Sequence, residues 1–158
     1  YKLVNRENGD IAITASQDIL VDHSRIETDN TTVTANGTTA STVDRHGGEV
    51  YIQGDKNVTV KDSTIITSGS RGDVQYAENS GAIRVIAGNG TAKVEGSKLL
   101  ADGHAQVKSA DKVNIDNSIV QAYNTVDTTT EKDVTIVGVT GVNITNTDSN
   151  SKGNIKYP

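Results

Sequence analysis

The stretch AQVKSADKVNIDNSIVQAYN, Ala105 to Asn124, constrains the fold more than any other feature, because its spacing of apolar, polar and turn residues recurs four more times along the chain. Three short strands fit within it. Period-two alternation directs Ala105 and Val107, Val113 and Ile115, and Val120 and Ala122 to one common interior. Asn117, just before Ser118, and Asn124, after the third strand, mark two sharp corners, since Asn tolerates the left-handed backbone that such corners demand. A unit of this kind is one coil of a parallel β-solenoid.

A true repeat must reproduce its corners as well as its apolar positions. The inward pair of the second strand is Ile19 and Val21, then Val58 and Val60, Ala92 and Val94, Val113 and Ile115, and Val142 and Ile144. Three positions after each pair stands a small hydroxyl: Ser24, Ser63, Ser97, Ser118 and Thr147. The residue before each hydroxyl is His23, Asp62, Gly96, Asn117 or Asn146, types that enter the left-handed region at low cost. Six residues after each hydroxyl comes a second corner candidate: Asn30, Gly69, Gly103, Asn124 or Gly153. Between the corners, Ile26, Ile65, Leu99 and Val120 point inward, with Thr28, Thr67, Ala101 and Ala122 behind them; the fifth coil has Ser149 and Ser151 there and is the weak one.

First strands complete the coils, with inward pairs Ile11/Ile13, Val50/Ile52, Ile83/Val85, Ala105/Val107 and Val134/Ile136, and a sixth coil begins at Ile155 and Tyr157. The third coil carries one extra residue in the Gly88-Asn89-Gly90 turn. The prediction is therefore an all-β parallel β-helix, one domain over 1–158, with about five complete coils of three short strands and a partial sixth. Composition agrees: only 34% of the residues are hydrophobic, and Phe, Trp, Met and Cys are absent. That is poor for a globule, but small β-branched side chains stacked in ladders fill a narrow solenoid core. A single coil buries too little to stand alone, so stability must come from neighbours. The chain opens at YKLVNRENGD and closes as a new coil begins, which predicts a segment of a longer solenoid; Leu3 to Glu7 fits the repeat badly and reads as a partial cap or the end of a preceding coil.

Insertions fall at about 31–49, 70–82 and 125–133, all leaving from the second corner, while the third coil has none. In the first, Asn36-Gly37 between Thr-rich runs is a two-residue hairpin signal. Loops of variable length on a rigid scaffold are where binding resides, although surface loops are also thermodynamically cheap to lengthen without any function. The net charge of -5 argues against nucleic acid and anionic membrane surfaces, and no apolar stretch is long enough for a membrane-spanning helix. Absence of Cys fits export through an oxidising compartment.

Runs such as GDIAITASQDILVDHSRIETDNTTVTANG and DKVNIDNSIVQA resemble the repeats of filamentous-haemagglutinin and contact-dependent-inhibition type exoproteins secreted by two-partner systems. The shared pattern is alternating Val/Ile strands, then Ser-x-Ile-x-Thr/Ala, then Asn or Gly. It covers essentially the whole chain, though autotransporter passengers and phage tailspikes share the geometry and the long insertions depart from the most regular repeats. The resemblance implies a right-handed β-helix exported across a Gram-negative outer membrane by a dedicated transporter, secreted or held at the cell surface, and used in adhesion or toxin delivery.

Enzymatic chemistry on a β-helix needs clustered carboxylates and bases on one outward face. The repeat places Leu20, Thr59, Lys93, Asn114 and Asn143 in one outward row and Asp22, Lys61, Glu95, Asp116 and Thr145 in the next, which reads as a solvated face pairing charges across strands. His23, His46 and His104 share no metal-ligand spacing, and the hydroxyl ladder has no partnered base, so neither a metal, a cofactor nor a catalytic residue is expected. The short motif Arg71-Gly72-Asp73 lies in the second insertion, where a flexible Gly would let Arg and Asp project apart toward an integrin's acidic pocket and metal ion; the bland reading is a polar turn after Gly69. The sequence thus points to an adhesin segment, with Arg45, His46, Arg71, Gly72, Asp73, Tyr76 and Asp127 as binding residues and Tyr51 as a sugar-stacking ring at the foot of the first loop. Expected partners are a host receptor or a glycan. The competing reading is a polysaccharide-binding or polysaccharide-cleaving β-helix, distinguished by whether two carboxylates and a base converge in a groove.

Overall fold

The structure is a computed structural model that describes residues 2–5, 10–28, 34–35, 38–39, 48–67, 81–122, 133–151 and 155–156, with side chains described over 10–28, 48–67, 81–122 and 133–148. The chain starts with β1 (Lys2–Asn5) and then winds through coils of three strands. The first coil is β2 (Ile11–Ala15), β3 (Ile19–Asp22) and β4 (Arg25–Thr28), followed by a ribbon of β5 (Thr34–Ala35) and β6 (Thr38–Thr39). The second is β7 (Val50–Gly54), β8 (Val58–Lys61) and β9 (Thr64–Ile66), and the third β10 (Ile83–Ala87), β11 (Ala92–Glu95) and β12 (Lys98–Ala101). The fourth is β13 (Ala105–Ser109), β14 (Lys112–Asp116) and β15 (Ile119–Ala122). The fifth is β16 (Val134–Gly138), β17 (Gly141–Thr145) and β18 (Asp148–Ser151), and β19 (Ile155–Lys156) opens a sixth.

Corresponding strands stack into three parallel sheets, in the orders β2-β7-β10-β13-β16-β19, β3-β8-β11-β14-β17 and β1-β4-β9-β12-β15-β18. The chain is a parallel β-helix, and its register is the one the repeat dictates: Val113 aligns with Ala92 and Val142, and Val120 with Leu99 and Ser149. Alternation sends Val50, Ile52, Val58, Val60, Ile65, Ile83, Val85, Leu99, Val107, Val113 and Val120 to a fully buried interior. Toward the ends the ladders thin, and Ile13, Val142 and Ile144 are only partly buried. The poorly fitting start is itself solenoid, for Leu3 aligns with Ile26 and Asn5 with Thr28 in a third strand preceding the first coil. The ribbon pairs Thr34 with Thr39 and Ala35 with Thr38 antiparallel around 36–37, as the hairpin signal predicts.

The first corner behaves as the sequence requires in every coil. His23, Asp62, Asn117 and Asn146 have φ of 45, 46, 46 and 47°, and Gly96 has 56°. The hydroxyls that follow form a ladder: Ser24, Ser63 and Ser97 N–H groups donate to Ser63, Ser97 and Ser118 Oγ at 3.0, 3.1 and 3.1 Å. Each hydroxyl in turn donates to the carbonyl two residues back, as in Ser97 to Glu95 at 2.8 Å and Ser118 to Asp116 at 2.7 Å. The turns of the second, third and fourth coils therefore each satisfy an amide of the preceding coil.

The second corner differs from expectation, because Gly103 is not left-handed. In the first two coils buried threonine hydroxyls close this corner. Thr28 Oγ1 donates to Gly48 O at 2.7 Å, and Thr67 Oγ1 donates to Gly81 O while accepting the Asp102 N–H at 3.1 Å. Gly103 N–H donates to the same Gly81 carbonyl at 2.9 Å, and the left-handed residue is Gly81, with φ 66°, where the second insertion rejoins the coil. The proposed corners at Asn30, Gly69, Asn124 and Gly153 lie outside the described residues.

Candidate functional site

The insertions leave after third strands and rejoin just before first strands, so their described feet are Glu49, Ala82 and Asp133, and Asp10 and His104 hold the same position before the first strands of the first and fourth coils. Ladder bonds stack these positions coil upon coil. Ile11 N–H donates to Glu49 O at 2.8 Å, Val50 to Ala82 at 2.9 Å, Ile83 to His104 at 2.9 Å and Ala105 to Asp133 at 3.0 Å. Side chains extend the stacking at both ends, for Asp10 Oδ1 accepts the Glu49 N–H at 2.8 Å and His104 Nδ1 accepts the Asp133 N–H at 3.0 Å. With Nδ1 accepting, a neutral His104 carries its proton on Nε2.

Beside this column runs the first outward row of the first sheet, in which Ala12, Tyr51, Arg84, Gln106 and Thr135 are aligned. Arg84 projects back to the column, and its Nε lies 3.1 Å from Glu49 Oε1. Tyr51 is half-buried and its hydroxyl donates to Gln53 Oε1. Burial pushes the Glu49 carboxyl above its ordinary pKa; Arg84 pulls it down in part and Asp10 pushes it up further. The column therefore gathers two carboxyl groups and a guanidinium at the first insertion, with Tyr51 in the adjoining row and its hydroxyl on Gln53, and an imidazole with a carboxylate residue nearer the third.

Of the residues expected to bind, Tyr51 is placed on this edge, whereas Arg45, His46, Arg71, Gly72, Asp73, Tyr76 and Asp127 lie outside the described residues. Asp10, Glu49, Arg84, His104 and Asp133 were missed by sequence reasoning. The signal was available: all but Arg84 occupy the slot before the first inward residue of a first strand, and Arg84 is the cross-strand neighbour of Tyr51.

The second sheet presents the two outward rows in the expected register. Its described ion pair is Lys93 with Glu95 along one strand, Nζ to Oε1 at 3.9 Å, rather than a pairing across strands through Lys61. Leu20 stands 65% exposed there, beside an open groove of about 520 Å³ lined by Asp18, Asn57, Thr59, Thr91 and Lys93. Asn57 fixes one wall, donating through Nδ2 to Asp18 Oδ1 at 3.1 Å and accepting the Thr91 N–H on Oδ1 at 2.9 Å. Among the described residues no helix is long and apolar enough to cross a membrane.

No protein-family model matches this chain, and neither a curated protein nor a solved structure matches it. Fold and site together define a class: a parallel β-helix whose insertions leave and rejoin at one corner, beside a charged column.

Proposed function

We propose that the chain is a segment of a secreted or cell-surface adhesin from a Gram-negative bacterium, similar to the filamentous-haemagglutinin type and exported through an outer-membrane transporter. The observation that carries the reading is the departure and return of three insertions at one corner, where Asp10, Glu49 and Arg84 meet at the foot of the first and Tyr51 aligns with Arg84 on the neighbouring strand. A stiff shaft holds such an edge in fixed register, and hydrogen-bonding charges beside an aromatic ring suit a glycan or a receptor loop. Within the second insertion Arg71-Gly72-Asp73 is the integrin-directed element.

Binding of the chain to a glycan and receptor array tests the proposal, with purified integrin as one member. Asp73→Ala removes the one group of the motif able to complete a partner's metal coordination, and it should weaken integrin binding by roughly 2 to 4 kcal/mol, the scale of a hot-spot truncation. Equal integrin binding by wild type and Asp73→Ala rejects the integrin element. No specific binding anywhere on the array rejects adhesion.

One observation favours the second reading, a polysaccharide-binding or polysaccharide-cleaving β-helix: Asp10 and Glu49 approach each other beside Arg84, and burial raises the pKa of the Glu49 carboxyl. A raised carboxyl next to a second carboxylate is the raw material of glycoside hydrolysis. Asp10 Oδ1 is already occupied by the Glu49 amide, which suits holding a sugar better than activating water. Release of reducing ends from an array-positive polysaccharide, abolished in Glu49→Gln, would favour cleavage.

A further inference from the structure

We propose that the return of the third insertion is a pH-sensitive latch: the neutral His104 ring holds the Asp133 amide, and protonation of the ring releases it. At two described positions of the column a side chain reaches the amide of the next coil. Asp10 Oδ1 accepts the Glu49 N–H at 2.8 Å where the first insertion returns, and His104 Nδ1 accepts the Asp133 N–H at 3.0 Å where the third returns. The two clamps occupy the same place in the fold but respond differently to acid. A carboxyl keeps an oxygen acceptor whether or not it is protonated, whereas an imidazole has one acceptor nitrogen when neutral and none when charged. A backbone N–H can only donate, so the imidazolium turns the Asp133 contact into two donors facing each other.

Imidazole is the side chain whose ordinary titration falls between about pH 5 and 8. His104 and Asp133 are both part-exposed, so the ring can take up a proton in the folded chain. The described charged groups of the surrounding elements are Asp102 in the same turn, the Asp133 carboxyl in the next coil, Lys108 farther along β13, and Arg84 on β10, which is aligned with Gln106 and paired with Glu49. Glu131 and Lys132, which precede Asp133, lie outside the described residues. The ladder bonds on either side, Ile83 N–H to His104 O and Ala105 N–H to Asp133 O, involve no ring atom. Protonation therefore loosens the return of the third insertion without opening the helix, while the first insertion stays clamped.

The test follows the whole chain by NMR from about pH 5 to 8, reading the His104 ring resonances together with the exchange protection of the Asp133 and Glu49 amides. On acidification the Asp133 protection factor should fall roughly two- to tenfold, the worth of one hydrogen bond, with the midpoint of the His104 ring, and that of Glu49 should not fall. His104→Asn offers an Oδ1 that accepts at every pH and should remove the acid-dependent fall. His104→Leu, with no acceptor, should show the lower protection throughout. A His104 ring that does not titrate in this range, Asp133 protection that is constant across its titration, or the same fall in His104→Asn overturns the proposal. So does wild-type protection of Asp133 in His104→Leu at the alkaline end.

Discussion

The two corners of the coil solve the same geometric problem in different ways. At the first, all five coils place a residue in left-handed backbone and follow it with a hydroxyl, and the hydroxyls of Ser63, Ser97 and Ser118 serve the neighbouring coil. That network leaves no slack, since an added residue would break the amide-to-hydroxyl ladder on both sides. The sequence inserts nothing there. At the second corner the closing bonds come from side chains already inside the core, Thr28 and Thr67, which reach the carbonyls of Gly48 and Gly81 where the chain returns. Whatever lies between departure and return is not part of the bond. In the first two coils a corner closed by such a bridge carries a long insertion, whereas the third and fourth coils have Ala101 and Ala122 at the threonine position.

The comparison can be broken most severely from within the core both corners enclose. Val113→Asp places an unpaired charge in a ladder with Ala92 on one side and Val142 on the other, at a cost upwards of about 3 kcal/mol. Cooperative loss of the β-sheet circular dichroism signal is expected. A wild-type melting midpoint would mean that Val113 does not face inward.

Next in size is the backbone of the first corner. Asn117 at φ 46° tolerates Gly but not a β-branched residue, so Asn117→Val should cost about 2 kcal/mol and Asn117→Gly only a few tenths. Urea denaturation of both variants gives the ratio, and equal costs would remove the special status of that corner.

The hydroxyls come third. Ser97→Ala deprives the buried Ser63 amide of its acceptor, and Thr67→Val deprives the Asp102 amide of its own; each should cost about 1 to 2 kcal/mol. Similar losses would show that the two corners are closed with similar strength despite their different designs. A neutral Thr67→Val would sink the bridging role given to the threonines.

Smallest is a pH effect confined to the second corner. The folded state holds Glu49 with its pKa raised from 4.5, so the native chain binds more protons than the unfolded one between the two values. Stability contributed by this group falls as pH rises from the unfolded pKa through the folded one. Glu49→Gln should lack that decline and gain on the wild type as pH rises through this window. A parallel pH dependence for the two proteins would show that the burial of Glu49 has no thermodynamic consequence.

The contrast between the corners also explains what could be read from the sequence. Ladders such as Val58-Ala92-Val113 were legible because a period-two strand repeated at fixed spacing allows one register. The first corner was legible because left-handed backbone selects Asn, Asp, His and Gly. Gly103 misled for the same reason: glycine at a turn suggests left-handed backbone, whereas here the closure lies with Thr67, which the pattern marks only as an inward residue. Glu49 with Arg84, and His104 with the Asp133 amide, depend on side chains reaching between coils. The register brings such residues within range, but the rotamers that join them are not written in the spacing.

The most direct measurement is binding to the array by chains in which 31–49, 70–82 and 125–133 are replaced, singly and together, by the tight Asp102-Gly103-His104 connection of the third coil. Because the inward ladders lie outside the replaced segments, each replacement should remain folded, the first two losing only the bond of Thr28 or Thr67 to the Gly48 or Gly81 carbonyl. At least one single replacement, and the triple one, should lose ligand binding. Wild-type binding by the folded triple replacement would contradict the account and move recognition from the loop edge to the sheet faces.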